Sequence, residues 1–428
     1  MTDTAFSYRN GIYCAEALPL TEIAAEVGTP FYCYSTEQLQ QNYRAFAGPF
    51  AKLKATVHYA NKANANLAVT QTLAKCGAGA DVTSAGELER ALTAGISPNK
   101  IVFSGVGKTR DDILAALLAG IYQINIESIP ELRLVSQVAS SQGKTALIAL
   151  RINPDVKAGT YKKTSTGHKE TKFGIDMVQL DEAVQMAITL PGLDLQGFTV
   201  HVGSHVYDYE PFRLAFQKLA EVFRFYCSKG LQLSRVDLGG GVTIPYDGKT
   251  LPPFADYAAI VHEVIAPLNC KISFEPGRRL VGDAGILVSR VTFVKETPHK
   301  KFLILDAGMN DLVRPAMYGA RHSIVPVLET KNANSSVETV AVVGPICETS
   351  DMFGDDYSLP EVKEGDLVAI LQAGAYGSAM SGNYNGRALI PEVLVSGTQY
   401  AVVRRRIAVA EQIAWEALPE WTDKTHAV

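Results

Sequence analysis

Between residues 36 and 280 short apolar runs alternate with amphipathic stretches of helical period. The candidate strands are ATVHYA (55–60), AGADV (78–82), KIVFSG (100–105), YQINIE (122–127), ALIALRI (146–152), LQGFTVH (195–201), RVDLGG (235–240) and KISFEPG (271–277). Between them lie segments such as AGELERALTAG (85–95), TRDDILAALLAG (109–120) and LDEAVQMAITL (180–190). A helix after each strand returns the chain to the same edge, so the sheet is expected to be parallel. Eight such units in roughly 240 residues match the length of a (β/α)8 barrel. A doubly wound open sheet is the alternative.

After about residue 285 the texture changes. GILVSRVTFVKE, KFLILDAG, SSVETVAVVGPI, DLVAILQAGAY, PEVLVSG and YAVVRRRIA are short, rich in Val and Ile, and closely spaced. They predict an antiparallel β domain. The expected division is a barrel over 36–280 and a β domain built from 1–35 plus 281–428. TPFYCYS (29–35) is strand-like and fits either unit.

Composition narrows the function classes. The 428 residues are 47% hydrophobic and 20% charged, an ordinary globular balance. A formal charge of −4 gives no basic footprint for nucleic acid. The start, MTDTAFSYRN, predicts no secretory signal, and the most apolar run, at 113–126, is too short to span a bilayer. Six scattered cysteines (14, 33, 76, 227, 270 and 347) form no CxxC pair and predict reduced thiols in a cytoplasmic protein.

The chemistry gathers at strand ends, where a barrel of this kind keeps its active site. Strand one leads into Asn61-Lys62 and strand two ends at Asp81. Strand six ends in His201-Val202-Gly203-Ser204, strand seven in Gly239–Gly241, and strand eight in Glu275-Pro276-Gly277-Arg278. Each residue has an ordinary explanation: a solvated lysine, a core histidine, a tight turn, a loop carboxylate. Together they describe one site. A lysine whose pKa is lowered by desolvation forms Schiff bases. Bare backbone amides at a glycine run suit a phosphate, especially ahead of a helix. A histidine ring can stack on a planar heterocycle, and a carboxylate can hold a proton on its nitrogen. That set describes pyridoxal 5'-phosphate. His201 and His205, four apart, invite a zinc reading, but no third ligand or HExxH motif accompanies them and no metal is expected. GAGADV (77–82) lacks the third glycine of a dinucleotide loop.

YANKAN around Lys62, GAGADVTSAGELERAL (77–92), HVGSH (201–205), DLGGG (237–241), EPGRRL (275–280), LVRPAMYGA (312–320), GPICE (344–348) and GAYG (374–377) resemble the fold-type III pyridoxal-phosphate decarboxylases, in family order. Within that family the chain looks most like the branch acting on diaminopimelate. The resemblance implies an alanine-racemase-type barrel followed by a β domain. It implies that Lys62 holds the cofactor, His201 stacks on its ring and Glu275 pairs with its nitrogen. Ser204, Gly240, Gly277, Arg278 and Tyr376 would bind the phosphate region, with Asp81 as a supporting acid. Arg278, Arg314, Tyr318, Glu348 and Tyr376 would grip the substrate, and Cys347 would supply the proton that replaces the lost carboxylate. Cys347 and Glu348 would reach the partner's site in a homodimer with shared active sites. STGHKETKFGI (165–175) also resembles a loop of this branch.

The implied reaction converts meso-2,6-diaminopimelate to L-lysine and carbon dioxide. Its substrate carries an amino-acid group at each end, so the distal carboxylate needs a partner. A guanidinium fork matches a carboxylate bidentately, which gives Arg278 and Arg314 a purpose. An ornithine-, arginine- or carboxynorspermidine-type decarboxylase would leave Arg314 without one. A racemase on the same fold and a cofactor carrier are the more distant alternatives. Two departures from the branch pattern stand beside the phosphate region: His205 in place of glutamine, and the sequence GGGVTIPY.

Overall fold

The structure, a computed structural model, describes residues 5–156, 171–246, 248–329 and 337–421. Residues 165–170 of the STGHKETKFGI loop lie outside the described residues. The chain divides into two compact units. The first contains Tyr34–Ile286 and Leu371–Ala379, and the second Phe6–Cys33, Leu287–Ile370 and the residues from Met380 onward.

The first unit is a closed barrel of eight parallel strands. Numbering the barrel strands alone, they are β1 (Ala55–Ala60), β2 (Gly79–Val82), β3 (Ile101–Phe103), β4 (Gln123–Ile126), β5 (Ala146–Arg151), β6 (Leu193–Thr199), β7 (Arg235–Asp237) and β8 (Lys271–Phe274). β8 pairs with β1 and closes the ring. All eight candidate strands are present. Their Val, Ile and Phe side chains are buried because both faces of the sheet are covered.

Local signals start and stop the helices. Ser84 Oγ accepts from Glu87 N–H at the head of Ala85–Thr93. Thr109 and Asp112 form a reciprocal capping box at Arg110–Ala119, and Gly120 ends that helix at φ 67°. Ser128 caps Ile129–Ser141 in the same way.

The sequence favours a helix directly after the glycine run that follows β7, but the run opens none; the next helix starts at Phe254. Its glycines are required by close approach. A Cβ on Gly239 would lie 2.5 Å from Val200 O, on Gly240 2.2 Å from Glu275 O, and on Gly241 2.4 Å from Gly203 O. Gly239 and Gly241 also sit at φ 64° and 110°, where side chains are strained. The glycines let the ends of β6, β7 and β8 converge.

Leu371–Ala379 belongs to the barrel unit although its neighbours in sequence do not. Ala373 and Gly374 donate to Gly285 O and Gly282 O, and Tyr376 N–H donates to Ala63 O at 2.7 Å. A division by sequence at residue 280 separates it from the barrel. Its short, Gly/Ala-rich run has no period that announces where it docks.

The second unit is a mostly antiparallel sheet. Phe31–Ser35, the segment that fitted either unit, takes a place in this sheet's strand order beside Gly285–Glu296. Lys301–Leu305 runs parallel to Glu338–Val343. More than thirty residues separate those strands, including the helix Arg314–Tyr318, which is enough chain for a crossover.

Candidate active site

β1 delivers Lys62. The strand ends at Ala60, and a single 3-10 turn over Asn61–Ala63 follows. The β1–β2 register sets Ala60 beside Asp81, so Lys62, two residues on, overhangs that carboxylate. Its Nζ lies 3.0 Å from Asp81 Oδ2. Asp81 is fully buried, while 37% of the Lys62 side chain is exposed. Burial opposes the ammonium charge, but Asp81, Tyr376 and Glu275 outweigh it and raise the Lys62 pKa above its ordinary value. Sequence alone predicts the opposite shift; the facing carboxylates reverse it.

β8 delivers Glu275. Its Oε1 accepts from Ser104 Oγ and Asn125 Nδ2, both at 3.1 Å. Gln123 Nε2 donates to Asn125 Oδ1 at 2.7 Å. Asp237, at the end of β7, faces Glu275. Asp237 Oδ1 accepts from Gly239 N–H, but its Oδ2 has no donor among the described residues while both carboxyls are ionised. One proton held between the two carboxyls supplies that donor. Burial, then the Asp237 and Asp81 charges, push Glu275 well above the usual carboxylate range. Burial likewise lifts Asp237 to about 6.

His201 follows β6. Its Nδ1 accepts from Gly240 N–H at 3.1 Å, which fixes the ring. Burial first, then the Arg151 and Lys62 charges, hold its pKa well below the ordinary histidine value. The ring is neutral and suited to stacking on a heterocycle. The Gly240 amide, expected to serve a phosphate, is here engaged with this ring.

Arg278 starts the turn after β8. Its Nη1 donates to Tyr246 OH at 2.9 Å, its Nη2 reaches Ser204 Oγ at 3.3 Å, and its guanidinium lies 4.7 Å from the Tyr376 ring centroid. Arg278 Nε is buried and has no acceptor among the described residues. Tyr376 sits at φ 56°, a strained conformation at a site residue. His205, also at φ 70°, bonds Thr243 Oγ1 through Nδ1 (2.9 Å) and Tyr207 OH through Nε2 (3.2 Å), and its ring edge meets Tyr246. It braces the tyrosine that braces Arg278.

These residues fit pyridoxal phosphate on the chemistry of their donors. Lys62 offers the amine for the aldehyde, His201 a neutral ring, and Glu275 a carboxyl for the pyridine nitrogen. Arg278, with a donor to spare, and Ser204 suit the phosphate beside Gly240 and Gly277. A Cβ on Gly277 would press on Ala63 Cβ at 3.0 Å, tighter than an ordinary contact.

Arg314, Tyr318, Cys347 and Glu348 belong to the second unit. Arg314 is buried at the head of the helix Arg314–Tyr318, and Tyr318 is half-buried. Cys347 and Glu348 are exposed on a loop knitted by one carboxylate. Asp351 Oδ1 accepts from Met309 N–H and its Oδ2 from Ile346 N–H, both at 2.6 Å. Asn385 Oδ1 holds the Cys347 amide at 2.9 Å.

Sequence reasoning passed over Ser104, Asn125, Asp237 and Tyr246. The first three stand in or at the end of barrel strands, the position that singled out Lys62 and Glu275.

A family model described as pyridoxal-dependent decarboxylase, pyridoxal binding domain, matches residues 14–282. The chain is 43% identical over 424 residues to the diaminopimelate decarboxylase of Zymomonas mobilis subsp. mobilis, covering 97% of this chain and 99% of that protein. It is 45% identical over 415 residues to that of Pseudomonas fluorescens, with the same coverage. The structure of diaminopimelate decarboxylase from M. jannaschii in co-complex with L-lysine matches with a TM-score of 0.92 at 38% identity, over 97% of this chain and 98% of that one.

Proposed function

The chain belongs to the pyridoxal-dependent decarboxylase family, and from that premise we propose that it converts meso-2,6-diaminopimelate to L-lysine and carbon dioxide, the last step of lysine biosynthesis. The observation that carries the chemistry is the junction of Lys62, Asp81 and Glu275 at strand ends of one barrel. The relatives' names carry the substrate.

Bound pyridoxal phosphate supplies the electron sink that receives the bonding pair as carbon dioxide leaves. Lys62 anchors it through its amine, and Asp81 holds the proton-bearing end of that side chain in place. Glu275 keeps a proton at the pyridine nitrogen, with Ser104 and Asn125 fixing its Oε1. His201, neutral and fixed by the Gly240 amide, would stack on the cofactor's ring. Arg278 and Ser204 would hold the phosphate, with Gly240, Gly277 and Tyr376 at that end.

Substrate recognition falls to Arg314, Arg278, Glu348, Tyr318 and Tyr376. A guanidinium fork takes the distal carboxylate and Glu348 takes the distal ammonium. That grip would orient the substrate so that its scissile bond is presented for loss of carbon dioxide. Cys347 gives its thiol proton to the carbon that lost carbon dioxide. The exposure of Cys347 and Glu348 on their own chain supports a homodimer in which they serve the partner's site. Six free cysteines support a reducing compartment, the cytoplasm. Among the described residues no helix is long and apolar enough to cross a membrane.

The test is carbon dioxide release by purified protein with pyridoxal phosphate, across meso-diaminopimelate, L-lysine, L-ornithine, L-arginine and carboxynorspermidine. Release from diaminopimelate alone is expected. Release from a single-ended amino acid instead would keep the fold and chemistry and overturn the two-ended grip.

A further inference from the structure

We infer that His322 is a positioning residue that sets the plane of the Arg314 guanidinium for the substrate's distal carboxylate. The inference rests on the reading of Arg314 given above.

Arg314 Nη1 lies 2.7 Å from His322 Nε2. Both residues are buried, Arg314 at 2% exposure and His322 at none. An arginine only donates and keeps its charge, so His322 Nε2 must be the acceptor. The ring is therefore neutral, with its proton on Nδ1.

The histidine is itself held. Gly319, at φ 62°, ends the helix Arg314–Tyr318 and turns the chain back, with Ala320 N–H reaching Arg314 O at 3.4 Å. The His322 carbonyl then accepts from Tyr357 OH at 2.7 Å. Tyr357 is 4% exposed on the strand Met352–Leu359. Its ring carries the Arg321 guanidinium 4.3 Å from the centroid, and Arg321 pairs with Asp356 on the same strand. His322 is thus a fixed post, anchored through its backbone to a strand.

The neutrality of the post is the functional point. A guanidinium is planar, so fixing one N–H with little play fixes the directions of the rest. A carboxylate in this place would also fix the plane, but it would neutralise the charge a substrate carboxylate has to find. A neutral imidazole orients the fork without bringing a counter-charge of its own.

The experiment compares Arg314→Leu, His322→Leu, His322→Gln and Tyr357→Phe in the cofactor-loaded enzyme. Each is assayed for KM and kcat on meso-diaminopimelate and for inhibition by L-lysine and by 1,5-diaminopentane. L-Lysine keeps the amino-acid end that the reaction leaves untouched; the diamine has no carboxylate. His322→Leu is expected to raise KM and the L-lysine inhibition constant together by about tenfold or more, a loss the size of one good charge-assisted contact. The kcat and the inhibition by the diamine should stay within about twofold. Glutamine, which restores an acceptor, should recover most of the loss.

If Arg314→Leu raises KM and His322→Leu does not, the role of His322 is overturned and the substrate reading stands. If Arg314→Leu changes nothing, the substrate reading falls and the inference with it. If His322→Leu shifts both inhibitors equally and glutamine rescues nothing, His322 is merely structural. Should His322→Leu not fold, Tyr357→Phe decides: a raised KM for diaminopimelate with unchanged diamine inhibition supports the role, and an unchanged KM overturns it.

Discussion

The Lys62 ammonium and the Asp81 carboxylate stand 3.0 Å apart, one just past the end of its strand and the other on the neighbouring strand, brought together by the register. Asp81 is the first of the groups that hold the Lys62 pKa up against burial. Replacing it with asparagine leaves desolvation less opposed, so the Lys62 pKa falls. The pH midpoint for Schiff-base formation between apoprotein and pyridoxal phosphate should drop by about one unit or more. An unmoved midpoint would remove Asp81 from control of the amine. Lys62→Ala should lower kcat by at least about a thousandfold.

Burial beside two other carboxylates pushes the Glu275 pKa well above the usual carboxylate range. Glu275→Gln cannot become the anion that pairs with a pyridinium, and kcat should fall on the order of 100-fold with the cofactor still bound. Asp237→Asn removes a like charge, so the Glu275 pKa falls. The acid limb of the kcat/KM profile should move to lower pH, and a limb that stays in place would uncouple the pair.

Gly240 has no room for a methyl group, because its Cβ would lie 2.2 Å from the Glu275 carbonyl oxygen. Gly240→Ala must part the ends of β7 and β8. It should cost about 2–3 kcal/mol of stability in urea unfolding and release the His201 ring from its amide partner. An unshifted unfolding midpoint would show that these strand ends yield freely.

His58 is locked inside the barrel between Lys100 O (3.0 Å) and Ser273 Oγ (3.2 Å), and burial pushes its pKa down to about 4. The unfolded chain binds this proton below about pH 6.5, and the folded chain does so only near 4. Stability from the neutral ring is whole above pH 6.5 and drains as pH falls toward 4. Between pH 7 and 4.5 the natural protein should lose about 2 kcal/mol more than His58→Asn in chemical denaturation. Parallel losses would count against His58 as the group responsible.

Much of the barrel was legible because its strands are continuous apolar runs with turn residues at their ends. Lys62, His201 and Glu275 were legible because each follows such a run. Asp237, Ser104 and Asn125 stand in the same strands, yet a single polar residue in a buried run has no pattern. What makes them a network is the meeting of β3, β4, β7 and β8, which exists only in three dimensions. The sign of the Lys62 shift failed for a related reason: desolvation can be guessed from a buried strand end, whereas a carboxylate 3.0 Å away depends on register. His322 stands two residues beyond LVRPAMYGA, and nothing in the sequence marks the contact with Arg314.

Leu371–Ala379 completes the barrel unit from almost a hundred residues downstream of β8, and that sets an order of events during synthesis. A nascent chain that has emerged only through residue 286 has every barrel strand but no Tyr376, and Ala63 O, Gly282 O and Gly285 O wait for their donors. The ribosome must finish most of the second unit before this last segment of the first can dock. Domain-by-domain folding from the N-terminus, the ordinary economy of long chains, is therefore denied to this one at its chemical centre. The mouth around Lys62 is assembled late, when the chain is nearly whole.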